Sequence, residues 1–104
     1  GEIYRRFDGQ GGEAGFAERR EGLLQALDSC VRARDLARLP GNDLAEASGA
    51  SLLVPALLAA GAFRADVSGA GPAVYGLFLG RREARAAAAA LAGRARTWVV
   101  TPVW

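Results

Sequence analysis

Residues 66–79 read Asp66-Val67-Ser68-Gly69-Ala70-Gly71-Pro72-Ala73-Val74-Tyr75-Gly76-Leu77-Phe78-Leu79. The apolar run at 73–79 predicts a β-strand, and residues 66–68 predict a shorter one. The glycines between the two runs predict a tight turn, because glycine adopts the positive φ angles that such turns require. Side chains on both faces of the longer strand are apolar, which predicts a position inside a sheet rather than at its edge.

Helices are predicted before this stretch. Apolar residues recur at helical spacing from residue 16 onward and predict an amphipathic helix in two pieces that ends at Pro40-Gly41. Its apolar side carries Phe16, Leu23, Leu27 and Val31. Asp43 and Glu46, three residues apart, predict a capping box at the start of the next helix.

Three further elements complete the predicted order. A helix is predicted with Pro55 in its first turn and Gly61 just past its end. Residues 81–92 are mainly alanine and predict another helix, and residues 97–104 predict a strand in which Pro102 favours the rim or the end. This order predicts an α+β fold, a ferredoxin-like plait with its helices on one face of a mostly antiparallel sheet.

Composition excludes several classes of function. The 104 residues, 51% of them hydrophobic, predict one domain, residues 1–104. With no histidine and only Cys30, the usual zinc clusters and histidine-based nucleophile pairs cannot form. The net charge is +2 and the arginine pairs are interleaved with glutamates, so nucleic-acid binding is not predicted. No apolar run has the length of a membrane span and no signal peptide is evident, so we expect a cytoplasmic protein.

The glycine turn, residues 68–72, is the strongest candidate for a binding site. A P-loop is excluded because the chain has no lysine, and a dinucleotide fingerprint is excluded because Val74 stands where a third glycine is needed. Two interpretations remain open. The turn is either a tight connection between strands, or a bare backbone whose N–H groups, with the Ser68 hydroxyl, let a phosphate or another glycine loop approach closely.

Other candidate residues each have a structural and a functional interpretation. Asn42 and Asp43 can hold a sugar hydroxyl or cap a helix, and capping is favoured. Tyr4 can stack on a planar ligand or cover the edge of the core. Cys30 is predicted to be a small buried residue rather than a nucleophile, and Asp66 a surface or turn carboxylate.

Three segments, taken together, point to a known family: Glu2-Ile3-Tyr4-Arg5-Arg6-Phe7-Asp8, then Gly41-Asn42-Asp43-Leu44, then Val67-Ser68-Gly69-Ala70-Gly71-Pro72-Ala73-Val74-Tyr75. In order and spacing they resemble the carboxyl-terminal part of the 4-diphosphocytidyl-2-C-methyl-D-erythritol kinases. That family lies within the superfamily of galactokinase, homoserine kinase, mevalonate kinase and phosphomevalonate kinase, the GHMP kinases. The Ser-Gly-x-Gly-Pro turn is typical of the superfamily as a whole.

The resemblance implies an ATP-dependent kinase, assisted by Mg²⁺, that phosphorylates a hydroxyl of a cytidylylated methylerythritol in the non-mevalonate route to isoprenoids. It implies that Tyr4 stacks on cytosine and that Asn42 and Asp43 lie on the substrate side. One wall of the nucleotide and substrate cleft would be formed by Ser68, Gly69, Ala70, Gly71 and Pro72. Ala70 and Ala73 stand where many relatives carry Ser or Thr, so backbone contacts are expected there. No catalytic or metal-binding residue is implied within the chain.

The resemblance also implies a partner. The family's amino-terminal kinase domain, with its phosphate loop and catalytic aspartate, is not in this sequence, so we expect a carboxyl-terminal domain fragment that is inactive alone. Its sheet is expected to lack the first strand, and exposed sheet edges would then favour self-association. Two alternatives stay open: a stand-alone plait that senses a small ligand or oligomerises, and the carboxyl-terminal domain of another kinase of the superfamily.

Overall fold

A computed structural model describes Arg5 and residues 15–102, without the side chains of residues 50 and 51. The described part is a small α+β arrangement of helices and one two-stranded antiparallel sheet, which confirms the predicted class. The α-helices are α1 (Phe16–Asp28), α2 (Ala45–Ser48), α3 (Val54–Ala59) and α4 (Arg81–Leu91); two 3₁₀-helices cover Ala33–Arg38 and Ala50–Leu53; the strands are β1 (Arg64–Val67) and β2 (Val74–Leu77).

The two strands form a hairpin around the glycine turn. Their register places Asp66 opposite Tyr75 and Val67 opposite Val74. The Ser68 N–H donates to the Ala73 carbonyl at 2.8 Å, so the ladder continues to the edge of the turn. The predicted hairpin is confirmed, although β2 is shorter than residues 73–79 and β1 begins two residues before the predicted strand.

The helices α3 and α4 cover one face of the hairpin. Leu57 of α3, Ala62 and Leu91 of α4 form the buried core, and Val74 and Phe78 pack against it. Because side chains alternate along a strand, this face carries the residues at 65, 67, 74 and 76. Alanine at most positions of α4 lets the helix lie close to the core, with only Ala87 and Leu91 buried.

The opposite face of the hairpin is polar. It carries Arg64, Asp66 and Tyr75, and it is covered by the chain between residues 36 and 42. Arg64 contacts carbonyls of this covering segment, and Asp66 accepts a backbone hydrogen bond from Asn42. The hairpin therefore lies between an apolar layer and a hydrogen-bonded layer.

The apolar side predicted for α1 is present but not buried. Phe16, Leu23, Leu27 and Val31 are between 39% and 88% exposed, and no residue of α1 is buried. The helix ends at Asp28 and the 3₁₀-helix begins at Ala33, in agreement with the predicted division into two pieces. The periodicity of the apolar residues correctly predicted helix α1. The apolar side of α1 is not packed into the core of the described residues.

Two predictions about strands are wrong for the residues that the structure describes. Residues 97–102 form no strand, and Trp98 and Val100 are 74% and 81% exposed. In the described chain β2 pairs only with β1, so it lies at an edge rather than inside a sheet. The ferredoxin-like plait and its missing first strand therefore stay predictions. No helix in this part of the chain is long and apolar enough to cross a membrane.

Candidate functional site

The glycine turn is a surface hairpin loop with two amide groups that are not used internally. Gly69 and Gly71 have φ angles of 57° and 80°, which fits the predicted need for glycine. The Gly71 N–H donates to the Ser68 carbonyl at 3.0 Å. The N–H groups of Gly69 and Ala70 donate to no atom of the described residues. The turn thus has the bare backbone donors that the second interpretation of the sequence required.

Asn42 lies directly against this turn. Its side-chain Nδ2 donates to the carbonyls of Val67 at 2.8 Å and Gly69 at 2.6 Å. Its Oδ1 accepts from the Leu44 N–H at 2.9 Å. The structure therefore brings together two candidates that are about 26 residues apart in sequence. All these bonds are internal, so the carboxamide orders the turn and leaves no donor for a ligand.

Asp66 is a buried carboxylate behind Asn42. Only 7% of the residue is exposed, so the prediction of a surface or turn carboxylate is wrong. Its Oδ2 accepts from the Asn42 N–H at 2.8 Å, and its Oδ1 accepts from the Val67 N–H at 2.8 Å. A buried carboxylate needs such donors, because an unpaired charge in the interior is strongly unfavourable.

Arg64 supplies the charge that balances Asp66. Its Nη2 lies 3.5 Å from Asp66 Oδ2 and also donates to the Pro40 carbonyl at 2.8 Å. Its Nη1 donates to the carbonyls of Leu36 and Leu39. Its Nε donates to the Tyr75 hydroxyl at 3.1 Å. All five N–H groups of the guanidinium thus have acceptors, which only arginine can provide in this geometry.

Asp35 begins the segment that Arg64 contacts. The N–H groups of Arg32 and Val31 donate to its Oδ2 at 2.8 and 3.0 Å, and Arg38 lies 3.3 Å from its Oδ1. The backbone donors, first from Arg32 and then from Val31, hold the pKa of Asp35 below its usual value of 3.8, although burial opposes this. Asp35 is therefore a structural carboxylate that fixes the start of the 3₁₀-helix.

Asp43 does not act as predicted. Its carboxylate forms an exposed ion pair with Arg19 at 3.2 Å, and α2 has Leu44 at its amino end with no side-chain cap. The predicted capping box of Asp43 and Glu46 is wrong, because the Asn42 side chain takes the turn-forming hydrogen bond. Tyr4 lies outside the described residues. Cys30 is partly buried, with a free thiol.

A groove of about 380 Å³ lies along β2, on the apolar side of the hairpin. It is lined by β2, by the alanine face of α4 and by residues 95–100, and Pro72 and Ala73 stand at one end. In an antiparallel ladder every second residue bonds to the partner strand, so the N–H groups of Val74 and Gly76 point away from β1. The groove therefore lies along the unpaired edge of the sheet.

Arg64 was not predicted as a site residue, and Asp66 was predicted as a surface or turn carboxylate instead of its buried partner. The available signal was a basic and an acidic residue two positions apart on a short strand whose alternate residues are apolar. Such a pair shares one face, and a tyrosine directly opposite on the next strand adds a hydroxyl to it. Their carbonyl partners at residues 36–40 leave no mark in the sequence, so the extent of the cluster was not predictable.

A family model and several curated proteins match parts of this chain. Residues 53–96 match the family model described as GHMP kinases C terminal. The predicted resemblance is confirmed over this segment. The matched residues contain α3, both strands, the glycine turn and α4, whereas Asn42 lies outside them.

Two curated proteins show what this chain is similar to. Both are named 4-diphosphocytidyl-2-C-methyl-D-erythritol kinase, from Anaeromyxobacter sp. (strain K) and Anaeromyxobacter dehalogenans (strain 2CP-C), and each is 46% identical over 63 residues. The match covers 56% of this chain and 20% of each relative. The chain thus corresponds to a small part of those proteins. No solved structure gave a significant match.

Proposed function

We propose that this chain is the carboxyl-terminal, substrate-side domain of an ATP-dependent kinase that phosphorylates 4-diphosphocytidyl-2-C-methyl-D-erythritol. The reaction would belong to isoprenoid synthesis by the non-mevalonate route and would take place in the cytoplasm. Support comes from the family match over residues 53–96 and from relatives that carry this name. We propose the ferredoxin-like plait as the fold of the complete domain.

The observation that carries the proposal is the pair of unused N–H groups at Gly69 and Ala70, within the segment that matches the family. Neighbouring backbone N–H groups in a turn with positive φ angles form a concave site that favours anions. A kinase must stabilise the charge of a transferring phosphoryl group, and fixed donors achieve this without reorganisation. The turn, residues 68–72, would therefore form one wall of the nucleotide cleft.

The cofactors fit this chain only in part. When bound, ATP would supply the phosphoryl group, and the Gly69 and Ala70 N–H groups suit an anionic oxygen. Among the described residues no group of three acidic, histidine or cysteine side chains could hold a metal, so we assign none of them to Mg²⁺. Asn42 would serve the site by ordering the turn, while contacts of Asp43 and Tyr4 with the substrate stay predictions.

The proposed partner is an amino-terminal kinase domain in the same protein, which would supply the phosphate loop and the catalytic base. We assign no residue of this chain to catalysis, so we expect the chain to be inactive alone. We expect the small-molecule substrate to bind between the two domains, with the glycine turn close to the loop that holds the nucleotide. The unused amides of the turn support this arrangement, because a glycine-rich surface permits close backbone approach.

The test is phosphoryl transfer by the full-length gene product. With ATP, Mg²⁺ and the cytidylylated methylerythritol, we expect turnover by the full-length protein and none by residues 1–104. Galactose, homoserine, mevalonate and phosphomevalonate serve as control acceptors. Preference for one of the controls would move the assignment to another kinase of the superfamily, and no turnover with any acceptor would contradict a kinase function.

A further inference from the structure

Asn42 and Asp66 connect the glycine turn to the polar face of the hairpin. Asp66 Oδ2 accepts from the Asn42 N–H at 2.8 Å, and the Asn42 side chain in turn donates to the carbonyls of Val67 and Gly69. Arg64 lies behind Asp66 and binds the Pro40 carbonyl. A continuous series of hydrogen bonds therefore runs from a buried ion pair to the turn.

The Asn42 contact determines how one peptide unit of the turn is oriented. The Gly69 carbonyl belongs to the same planar unit as the Ala70 N–H, and in a trans peptide the two groups point in opposite directions. The peptide unit between residues 69 and 70 is trans. Because Asn42 holds the Gly69 carbonyl at 2.6 Å, the Ala70 N–H is directed away from Asn42.

The turn needs this constraint because its own backbone supplies little. Gly69 has a φ of 57°, and an alanine Cβ built on it would meet nothing within 4 Å. Glycine tolerates both signs of φ, so the peptide unit that follows it can rotate when nothing holds its carbonyl. The hydrogen bond from the Gly71 N–H to the Ser68 carbonyl spans this unit without contacting it.

We propose that Asn42 is a positioning residue that fixes the 69–70 peptide unit so that the Ala70 N–H faces a phosphate oxygen of the nucleotide. Asp66 is a second positioning residue, since it holds the Asn42 backbone at the correct distance. This inference rests on the proposed kinase function for the identity of the ligand. The orientation of the peptide unit rests only on the contacts given above.

The decisive variant is Asn42→Asp in the full-length gene product. It keeps the side-chain shape and the acceptor for the Leu44 N–H, but it replaces both Nδ2 donors with a carboxylate oxygen facing two carbonyls. Asp66→Asn is the second variant, because it removes the charge behind Asn42. Gln25→Glu and Asp28→Asn are the matched controls on the exposed side of α1. Gln25→Glu likewise replaces an amide that donates to an oxygen, that of Glu21 at 3.3 Å, with a carboxylate, but far from the turn.

Hydrogen–deuterium exchange gives a readout that does not require activity. In both variants we expect amide exchange at residues 67–73 to be faster by about tenfold or more, the effect of losing one hydrogen bond to a backbone group. Exchange at residues 54–59 and 81–91 should match that of the controls. Unchanged exchange at 67–73 would overturn the positioning role, and so would a loss of protection throughout the chain in both variants.

Steady-state kinetics tests whether the Ala70 N–H contacts a phosphate of the nucleotide. We expect kcat/KM for ATP to fall about tenfold to a hundredfold in Asn42→Asp, as for a lost hydrogen bond to a charged group. The KM for the acceptor alcohol should stay within about twofold, because the Ala70 N–H is proposed to contact only the nucleotide. A protein that is merely destabilised would instead lose affinity for both substrates alike. An equal change in both KM values, or none, would overturn the phosphate assignment. If the wild-type protein is inactive, the proposed function fails, while the exchange experiment still decides whether Asn42 orients the turn.

Discussion

Arg64 and Asp66 lie two residues apart on β1, and their side chains meet on one face with Arg64 Nη2 3.5 Å from Asp66 Oδ2. The two side chains are only 12% and 10% exposed. Asp66 accepts two backbone N–H groups, and Arg64 donates to backbone carbonyls and to the Tyr75 hydroxyl. Each charge is thus paired and fully hydrogen-bonded, so loss of either partner leaves the other charge buried without compensation.

We expect Arg64→Met to lower the free energy of unfolding by about 3–5 kcal/mol, since it strands the Asp66 carboxylate and leaves buried carbonyls without donors. Urea unfolding followed by circular dichroism measures this loss. Arg82→Met is the control, because Arg82 is exposed on α4 and should change stability by less than about 0.5 kcal/mol.

The double variant Arg64→Met with Asp66→Leu separates pairing from packing. It removes both charges, so we expect it to be less destabilised than the sum of the two single variants. Additive losses would show that the two side chains act independently, contrary to the observed geometry.

Gly76 on β2 offers a test of the apolar face. An alanine Cβ there would lie 3.1 Å from Leu57 Cδ2 and 3.1 Å from Phe78 Cε2, so both neighbours would have to move. We expect Gly76→Ala to cost about 1–3 kcal/mol by overpacking. Gly22→Ala makes the same change inside α1, where nothing lies within 4 Å, and should stabilise the protein by about 0.5–1 kcal/mol. Thermal unfolding of both variants checks the prediction, and a stabilised Gly76→Ala variant would contradict the close packing.

The sequence predicted the hairpin and α4 well because the signals are local. Residues 66–79 carry the alternation, the glycines and the apolar runs of a hairpin, and residues 81–91 are strong helix formers. The strand predicted at 97–104 is absent from residues 97–102, since β propensity reflects the fit to a partner strand, and none of the described residues provides one.

The candidate site was predictable only where the signal lay within one stretch. The turn with its glycines was found, and its contact with Asn42 was not, because the partners are separated by 25 and 27 residues. Asp43 was predicted as the cap from its residue type and from the position of Glu46 three residues later. Asn42 and Asp43 are both good turn formers, so residue type does not show which of them forms the turn. In the folded chain Asn42 contacts β1, whereas Asp43 pairs with Arg19.

Asp35 gives the chain a pH-dependent contribution to stability. Its pKa is lowered on folding, so the ionised form stabilises the native state fully above the usual value of 3.8. That contribution is lost as the pH falls from 3.8 through the lower pKa of the folded state. We therefore expect the stability difference between wild type and Asp35→Asn to be constant above about pH 5 and to shrink below it. Urea unfolding across this range measures the difference.

Asp28→Asn is the control for this experiment, because Asp28 is exposed at the end of α1. Its stability difference from wild type should show no comparable decrease on acidification. A difference for Asp35→Asn that stays constant down to about pH 2 would contradict the hydrogen-bonded carboxylate described above.

Substitution of Gly69 tests the backbone conformation of the turn, because a new side chain there would not clash with any neighbour. Its φ of 57° is unfavourable for a residue with a side chain, and the space around it is open. We expect Gly69→Ala to cost about 1–2 kcal/mol through backbone strain alone. Gly93→Ala, which also meets nothing within 4 Å and has no positive φ, should be neutral or slightly stabilising. Equal stability of the two variants would show that the turn does not hold this conformation in solution.

The unpaired edge of β2 leads to a prediction about the isolated chain. The N–H groups of Val74 and Gly76 point outward, and the adjoining groove carries Trp98 and Val100, both largely exposed. An edge of this kind pairs readily with another chain, so we expect residues 1–104 to self-associate as concentration rises.

Trp98→Glu should weaken the association, because a charge in the groove opposes pairing. Ala90→Glu places the same charge on an exposed position of α4 that does not line the groove and should leave association unchanged. Light scattering over a range of concentrations measures both variants, and a compact monomer at every concentration would refute the prediction.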